Sequence, residues 1–130
     1  MSEIDDSPLP GGTLSLQTIA MPADTNAHGD IFGGWLVSQM DLAGMLAASR
    51  EARGRVATVS IDGMSFMVPV KVGAVVSCYT EVSAVGRSSI EVTVEVWAYY
   101  VETDEQMKVT EGNFVFVAID KNGRTRAVAQ

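Results

Sequence analysis

Asp41 is the residue in this chain whose position most needs a chemical reason. It lies inside an apolar run that reads as a helix over about residues 33–53, nine residues before Arg50, so it projects about 180° away from that arginine. Val37, Gly44, Met45 and Ala48 share its face. Aspartate is a poor helix former, and its charge among apolar groups costs several kcal/mol unless compensated. Either a hydrogen bond or a water-filled gap between subunits satisfies the carboxylate, or it serves as a general base or nucleophile.

The segment ahead of the helix supplies a complementary feature. Asn26, His28 and Asp30 punctuate residues 24–34, and the pair Gly33 and Gly34 leaves the amides of the first helical turn open. Such a turn can hold the oxyanion formed when an acyl carbonyl is attacked; a double glycine can equally do no more than start a helix. Gly34 and Asp41 are seven residues apart. On a helix that is about 10 Å along the axis, too far for one reacting carbonyl, whereas a twofold pair of chains brings Asp41 of one against the glycine turn of the other. His28, the only histidine, sits in a loop, where a hydrogen-bonding role is the commoner use. Cys78 and the scattered acids have no zinc spacing, and no phosphate-binding or dinucleotide glycine motif follows a strand. None of Ser60, Ser65, Ser88 and Ser89 lies in Gly-x-Ser-x-Gly. No metal and no tightly bound cofactor is expected.

These groups must be positioned by few elements. Residues 13–20 alternate apolar and polar and stop at Met21-Pro22, a first strand. The helix contains no proline, and Gly54 is its expected stop. Residues 55–67, 75–85, 90–100 and 107–120 read as further strands; Ile90, Val92, Val94 and Val96 alternate with Glu91, Thr93, Glu95 and Trp97. Short turns at 86–89 and 120–123 predict that neighbouring strands pair as antiparallel hairpins. The class is α+β: an antiparallel sheet of about five strands wrapped around one long central helix. That helix is apolar nearly all round, and one sheet covers one side, so the other side is expected to meet a second copy.

At 130 residues there is room for one domain, expected over 13–127, with a flexible tail over 1–12. No apolar run reaches the roughly 20 residues of a membrane span, and no secretory leader is recognisable. The lone Cys78 among apolar neighbours suits a reducing compartment, the cytoplasm. A net charge of −7 argues against a nucleic-acid partner, although Arg87, Lys121, Arg124 and Arg126 beside turns leave room for a local phosphate site.

Residues 21–35, followed by Ser38-Gln39-Met40-Asp41, resemble the signature of hotdog-fold acyl-CoA thioesterases of the YciA type. The resemblance continues through residues 54–59, 69–73, 86–89 and 94–97 and covers about 13–127. It implies a helix wrapped by an antiparallel sheet, paired into dimers that often assemble as a hexamer, and hydrolysis of acyl-CoA. It further implies that Asp41 activates water or attacks the thioester, with Asn26 of the partner chain orienting water or carbonyl. Gly33 and Gly34 would form the oxyanion site. The pantetheine arm would run beside Thr58 and Val59, and Arg87, Ser88 and Ser89 would lie near the coenzyme A moiety. Lys121, Arg124 and Arg126 are weaker candidates for its phosphates. His28 stands where similar proteins often carry asparagine, so no histidine mechanism is built on it. The alternatives are a hotdog protein that binds acyl-CoA without turnover, and a hydratase, which would want a histidine on or near the helix.

Overall fold

The computed structural model describes residues 9–128, so most of the expected tail lies outside the described residues. The elements are β1 (Thr13–Ile19), a 3-10 turn (Pro22–Asp24), α1 (Gly33–Ala52), β2 (Val56–Phe66), β3 (Val75–Val85), β4 (Ser89–Tyr100) and β5 (Glu105–Ala118). All strand pairs are antiparallel, in the order β1-β3-β4-β5-β2.

The hairpin expected at the 86–89 turn forms, β3 pairing with β4, while other features differ from the sequence reading. Neighbouring β2 and β3 do not pair; β2 crosses to β5 and becomes an edge strand. The β4–β5 hairpin turns at residues 101–104, where Asp104 takes φ 57° without a glycine to mark it. The expected turn at 120–123 instead leads into a single bridge between Ile119 and Thr125. The helix ends at Ala52, and Arg53, not Gly54, adopts the left-handed cap, φ 56°, its amide donating to Ser49 O.

The α1 stripe Leu36, Met40, Ala43, Gly44, Ala48 and Ala52 is buried. It packs on the concave sheet face, where Val92, Val94 and Val96 of β4 meet Phe114 and Phe116 of β5. The two phenyl rings stack at 6.3 Å between centroids. Small residues set the helix–sheet distance: a Cβ on Gly44 would lie 3.0 Å from Phe116 Cζ and 3.4 Å from Val94 Cγ2. Opposite this stripe, Leu42, Met45 and Leu46 remain 40–48% exposed. One sheet therefore covers one side of the helix, as its all-round apolarity predicts.

Gly44→Ala sets two effects against each other. Helix propensity favours alanine by about 1 kcal/mol, while overpacking a well-filled core costs about 1–3 kcal/mol, and the ring of Phe116 has stacked Phe114 behind it. A net loss of up to about 2 kcal/mol is expected, measured as a lower urea midpoint at unchanged m-value.

Candidate functional site

Asp41 sits on the rim of the buried stripe, half-buried, on the side of α1 that faces β2. The Thr58 hydroxyl of β2 donates to Asp41 Oδ1 at 2.8 Å. Thr58 can do so because it stands opposite Phe116 and shares that residue's helix-facing side. Register then slips by one residue, Thr58 pairing with Phe116 and Ser60 with Val115, so Val59 is an extra residue. Such a bulge ends regular alternation and re-aims side chains, and it lies next to the carboxylate. Oδ1 is held, and Oδ2 has no hydrogen-bond partner among the described residues.

The loop before the helix is tied to itself. Asn26 Oδ1 accepts from the amides of His28 (2.9 Å) and Asp30 (3.2 Å), and the Asn26 amide donates to Asp30 O at 2.7 Å. Asp30 pairs with Lys71 Nζ at 2.5 Å, and the Ile31 amide donates to Val70 O. Two backbone donors on the carboxamide oxygen fix which way it points. Asn26 Nδ2 is thus the free end, and what Asn26 offers is donation. The ion pair with Asp30 raises the Lys71 pKa, chiefly through the hydrogen bond. His28 contributes its backbone amide to this turn, and its side chain is exposed.

At the start of α1 no side chain caps the helix; the amides of Trp35 and Leu36 turn back to Phe32 O. Among the described residues, no acceptor meets the amides of Gly33 and Gly34. The Phe66 ring lies over Gly33, 3.5 Å from where a Cβ would stand, while a Cβ on Gly34 would have nothing within 4 Å. Packing within one chain therefore gives no reason for glycine at 34.

At the opposite end of the helix a groove of about 1080 Å³ opens between α1, the β3–β4 turn and the segment after β5. Five cations line it, Arg53, Arg55, Arg87, Lys121 and Arg126, against the carboxylates of Glu51 and Asp120. Asp120 Oδ1 is already engaged by the amides of Asn122 and Arg124. Ser88 and Ser89 complete the turn that carries Arg87: the Gly86 amide donates to Ser89 O, and the Ala118 amide to Ser88 O. Arg55 Nη1 donates to Lys121 O at 3.2 Å.

One protomer thus joins Asp41 to Thr58 and gathers Arg87, Ser88 and Lys121 near one groove. Among the described residues, no hydrogen bond links either cluster to Asn26 or to the glycine amides. Four features escaped the sequence reading. Thr58, expected beside a substrate arm, holds the carboxylate itself. Arg53 and Arg55 line the groove; their closeness to Arg50 in sequence was the available signal. The guanidinium of Arg126 is occupied by backbone carbonyls. Met40 is fully buried in the core, whereas Met45, Phe66 and Met67 are exposed.

The thioesterase superfamily pattern matches residues 28–101. A protein of Haemophilus influenzae named as an acyl-CoA thioester hydrolase is 52% identical over 120 residues, 90% of this chain and 78% of its own length. The acyl-CoA thioester hydrolase YciA of Salmonella typhimurium is 48% identical over 129 residues, 97% and 96% of the two chains. The solved structure of a hexameric broad specificity acyl-coenzyme A thioesterase superposes with a TM-score of 0.91 at 48% identity, covering 97% of this chain and 87% of that one. A single helix wrapped by a five-stranded antiparallel sheet is, with these matches, the hotdog fold. The chain belongs to the thioesterase superfamily.

Cys78, the one thiol, is fully buried in β3, and desolvation pushes its pKa up to about 12. A thiol so placed is no nucleophile near neutral pH, because the reactive species is the thiolate. The native protein is expected to leave Ellman's reagent uncoloured at pH 8 and to release one equivalent of chromophore once unfolded in guanidinium; a native-state reaction on the same timescale contradicts the burial.

Proposed function

We propose that this protein hydrolyses acyl-CoA thioesters to a free carboxylic acid and coenzyme A, at sites completed between two subunits. The observation that carries the reading is the half-buried Asp41 carboxylate, one oxygen anchored by Thr58 and the other free, beside an uncovered apolar face. That the relatives are named as acyl-CoA thioester hydrolases supports the substrate class.

Asp41 takes a proton from a water molecule as the water oxygen attacks the thioester carbonyl carbon. The negative charge gathering on the carbonyl oxygen is met by preorganised donors: the free amides of Gly33 and Gly34 and the carboxamide Nδ2 of Asn26. These come from the partner chain, since the glycine turn and Asp41 of one chain are about 10 Å apart along the helix. The tetrahedral intermediate then breaks its C–S bond. The thiolate of coenzyme A leaves with the proton that Asp41 received, and the carboxylate is free to act again.

The rest of the substrate has matching surfaces. The pantetheine arm runs along β2 past Thr58 and Val59 towards the groove, and the phosphates lie against Arg87, Ser88 and Ser89 with Lys121 and Arg124 near by. The bare arc Leu42, Met45 and Leu46 and the β2 residues Val59, Ile61 and Phe66 are exposed apolar side chains, the kind of surface that marks an interface. Pairing two such faces covers both helices and unites the two half-sites. The hexameric relative supports an assembly of six chains, a number that three such dimers would make. No resident cofactor is needed for this chemistry. The substrate and the free thiol fit a cytoplasmic enzyme.

Asp41→Asn is expected to lower kcat for acyl-CoA hydrolysis by about 10²–10⁴-fold, with the elution volume on size exclusion unchanged; turnover at the native rate by this variant would remove Asp41 from its role. Asn26→Ala loses one oxyanion donor and is expected to lower kcat by about 10²–10³-fold. Thr58→Val keeps the shape of the side chain but releases the carboxylate. A hydrogen bond to a charged group is worth about 1.5–3 kcal/mol, so a kcat loss of about 10–100-fold at little-changed KM is expected in steady-state assays.

A further inference from the structure

We propose that Arg126 is a positioning residue for the coenzyme A end of the site: it clamps the segment after β5, and that segment holds Arg87 where it can meet the ligand. The inference rests on the reading above that Arg87 binds the coenzyme A moiety.

Arg126 itself has little left to offer a phosphate. Its Nε donates to Ile119 O at 3.2 Å, Nη1 to Ala127 O at 3.0 Å and Nη2 to Ala52 O at 2.9 Å. Ala52 O is one of the helix-terminal carbonyls without an intrahelical partner, and a cation there also complements the negative end of the helix. The planar fork of a guanidinium suits this bridging task, which a lysine ammonium could not perform at three separated oxygens. Room has been left for it: a Cβ on Gly54 would stand 2.6 Å from Arg126 Nη2. Gly54 therefore serves the close approach of Arg126, and the left-handed helix cap falls on Arg53 instead.

The backbone of the clamped segment continues the connection. The Arg126 amide donates to Ala118 O at 2.9 Å, and the Val128 amide donates to Arg87 O at 2.7 Å. The Val128 side chain is 9% exposed and belongs to the core. From the other side, the Ala118 amide holds Ser88 O at 2.8 Å. The β3–β4 turn is thus gripped at two consecutive carbonyls, one of them by a residue that Arg126 secures. The Arg87 side chain is exposed and has no partner among the described residues. Its place at the groove is set by its backbone alone, so whatever fixes Arg87 O fixes where the guanidinium can reach.

Steady-state kinetics with an acyl-CoA and with the same acyl group on N-acetylcysteamine, which lacks the nucleotide, test the chain of contacts. Arg87→Ala is expected to raise KM for acyl-CoA about 10-fold or more and to leave the truncated thioester unaffected. Arg126→Ala, and separately Val128→Pro, which removes the donor to Arg87 O, are expected to raise KM for acyl-CoA about 5–10-fold with kcat within about twofold. Both should leave the truncated substrate alone. The Arg87→Ala, Arg126→Ala double variant is expected to be no worse than Arg87→Ala, because residues acting through one contact are not additive. Additive losses would mean that Arg126 meets the ligand itself, and equal losses on both substrates would reduce it to a general stabiliser; either result overturns the inference. Loss of affinity in Arg87→Ala, with native KM in both Arg126→Ala and Val128→Pro, sinks the positioning role and leaves the reading of Arg87 intact. A native KM in Arg87→Ala removes that reading and the inference together.

Discussion

The hydrogen bond from Thr58 to Asp41 joins the central helix to the edge of the sheet, and the geometry of the candidate site depends on it. A hydroxyl on a strand reaches a carboxylate on a helix only if the two elements lie close. Here the approach is set three residues further along the helix, where Gly44 rests against the ring of Phe116. Phe116 is also the residue that Thr58 faces across the β2–β5 ladder. Helix spacing, strand register and the orientation of the carboxylate are therefore one problem with one solution. A side chain on Gly44 would displace the same ring that sets the register partner of Thr58.

The helix divides labour along its length. At its start the amides of Gly33 and Gly34 are unmet and the dipole is positive, which suits charge developing on an oxygen. In its middle stands Asp41, the proposed base. At its end the dipole is negative, the wrong sign for phosphates, and there the chain gathers cations: Arg53 and Arg55 flank the terminus, and Arg126 binds the Ala52 carbonyl directly. The terminal carbonyl is satisfied before a ligand arrives. Arg87 and Lys121 are then left to face the solvent side of the groove.

How much of this the sequence revealed follows from the range of the interactions. The helix, the limits of β3 and the odd position of Asp41 were legible because period, propensity and the cost of a charge in apolar company are local properties. The edge position of β2 was not, because pairing with β5 rather than its neighbour β3 is decided by how the sheet closes on the helix. Nor could the role of Thr58 be read, since it depends on the pairing of Thr58 with Phe116 between strands far apart in the chain. Gly54 shows a local rule giving way to a distant one: a glycine after a helix signals a cap, yet this glycine makes room for an arginine 72 positions later in the chain. The direction of the Asn26 carboxamide likewise follows from backbone donors two and four residues on, contacts that exist only once the loop has folded.

A chain with a net charge of −7 that is proposed to bind an anionic coenzyme must answer for its own repulsion. Screening supplies part of the answer: at physiological ionic strength exposed charges more than about 8 Å apart hardly sense each other, so the ligand responds to the groove and not to the average. Within the groove five cations meet two carboxylates, and one of those, Asp120, has its Oδ1 occupied by backbone amides. The local field thus opposes the sign of the whole. The acids that make the chain negative include Glu91, Glu95 and Glu111, on strands β4 and β5, and Glu102, Asp104 and Glu105 at the β4–β5 turn, the far end of that hairpin from Arg87. Because β4 and β5 are long antiparallel strands, one end of the sheet can be acidic while the other is basic, and it is at the basic end that the clamped turn presents Arg87.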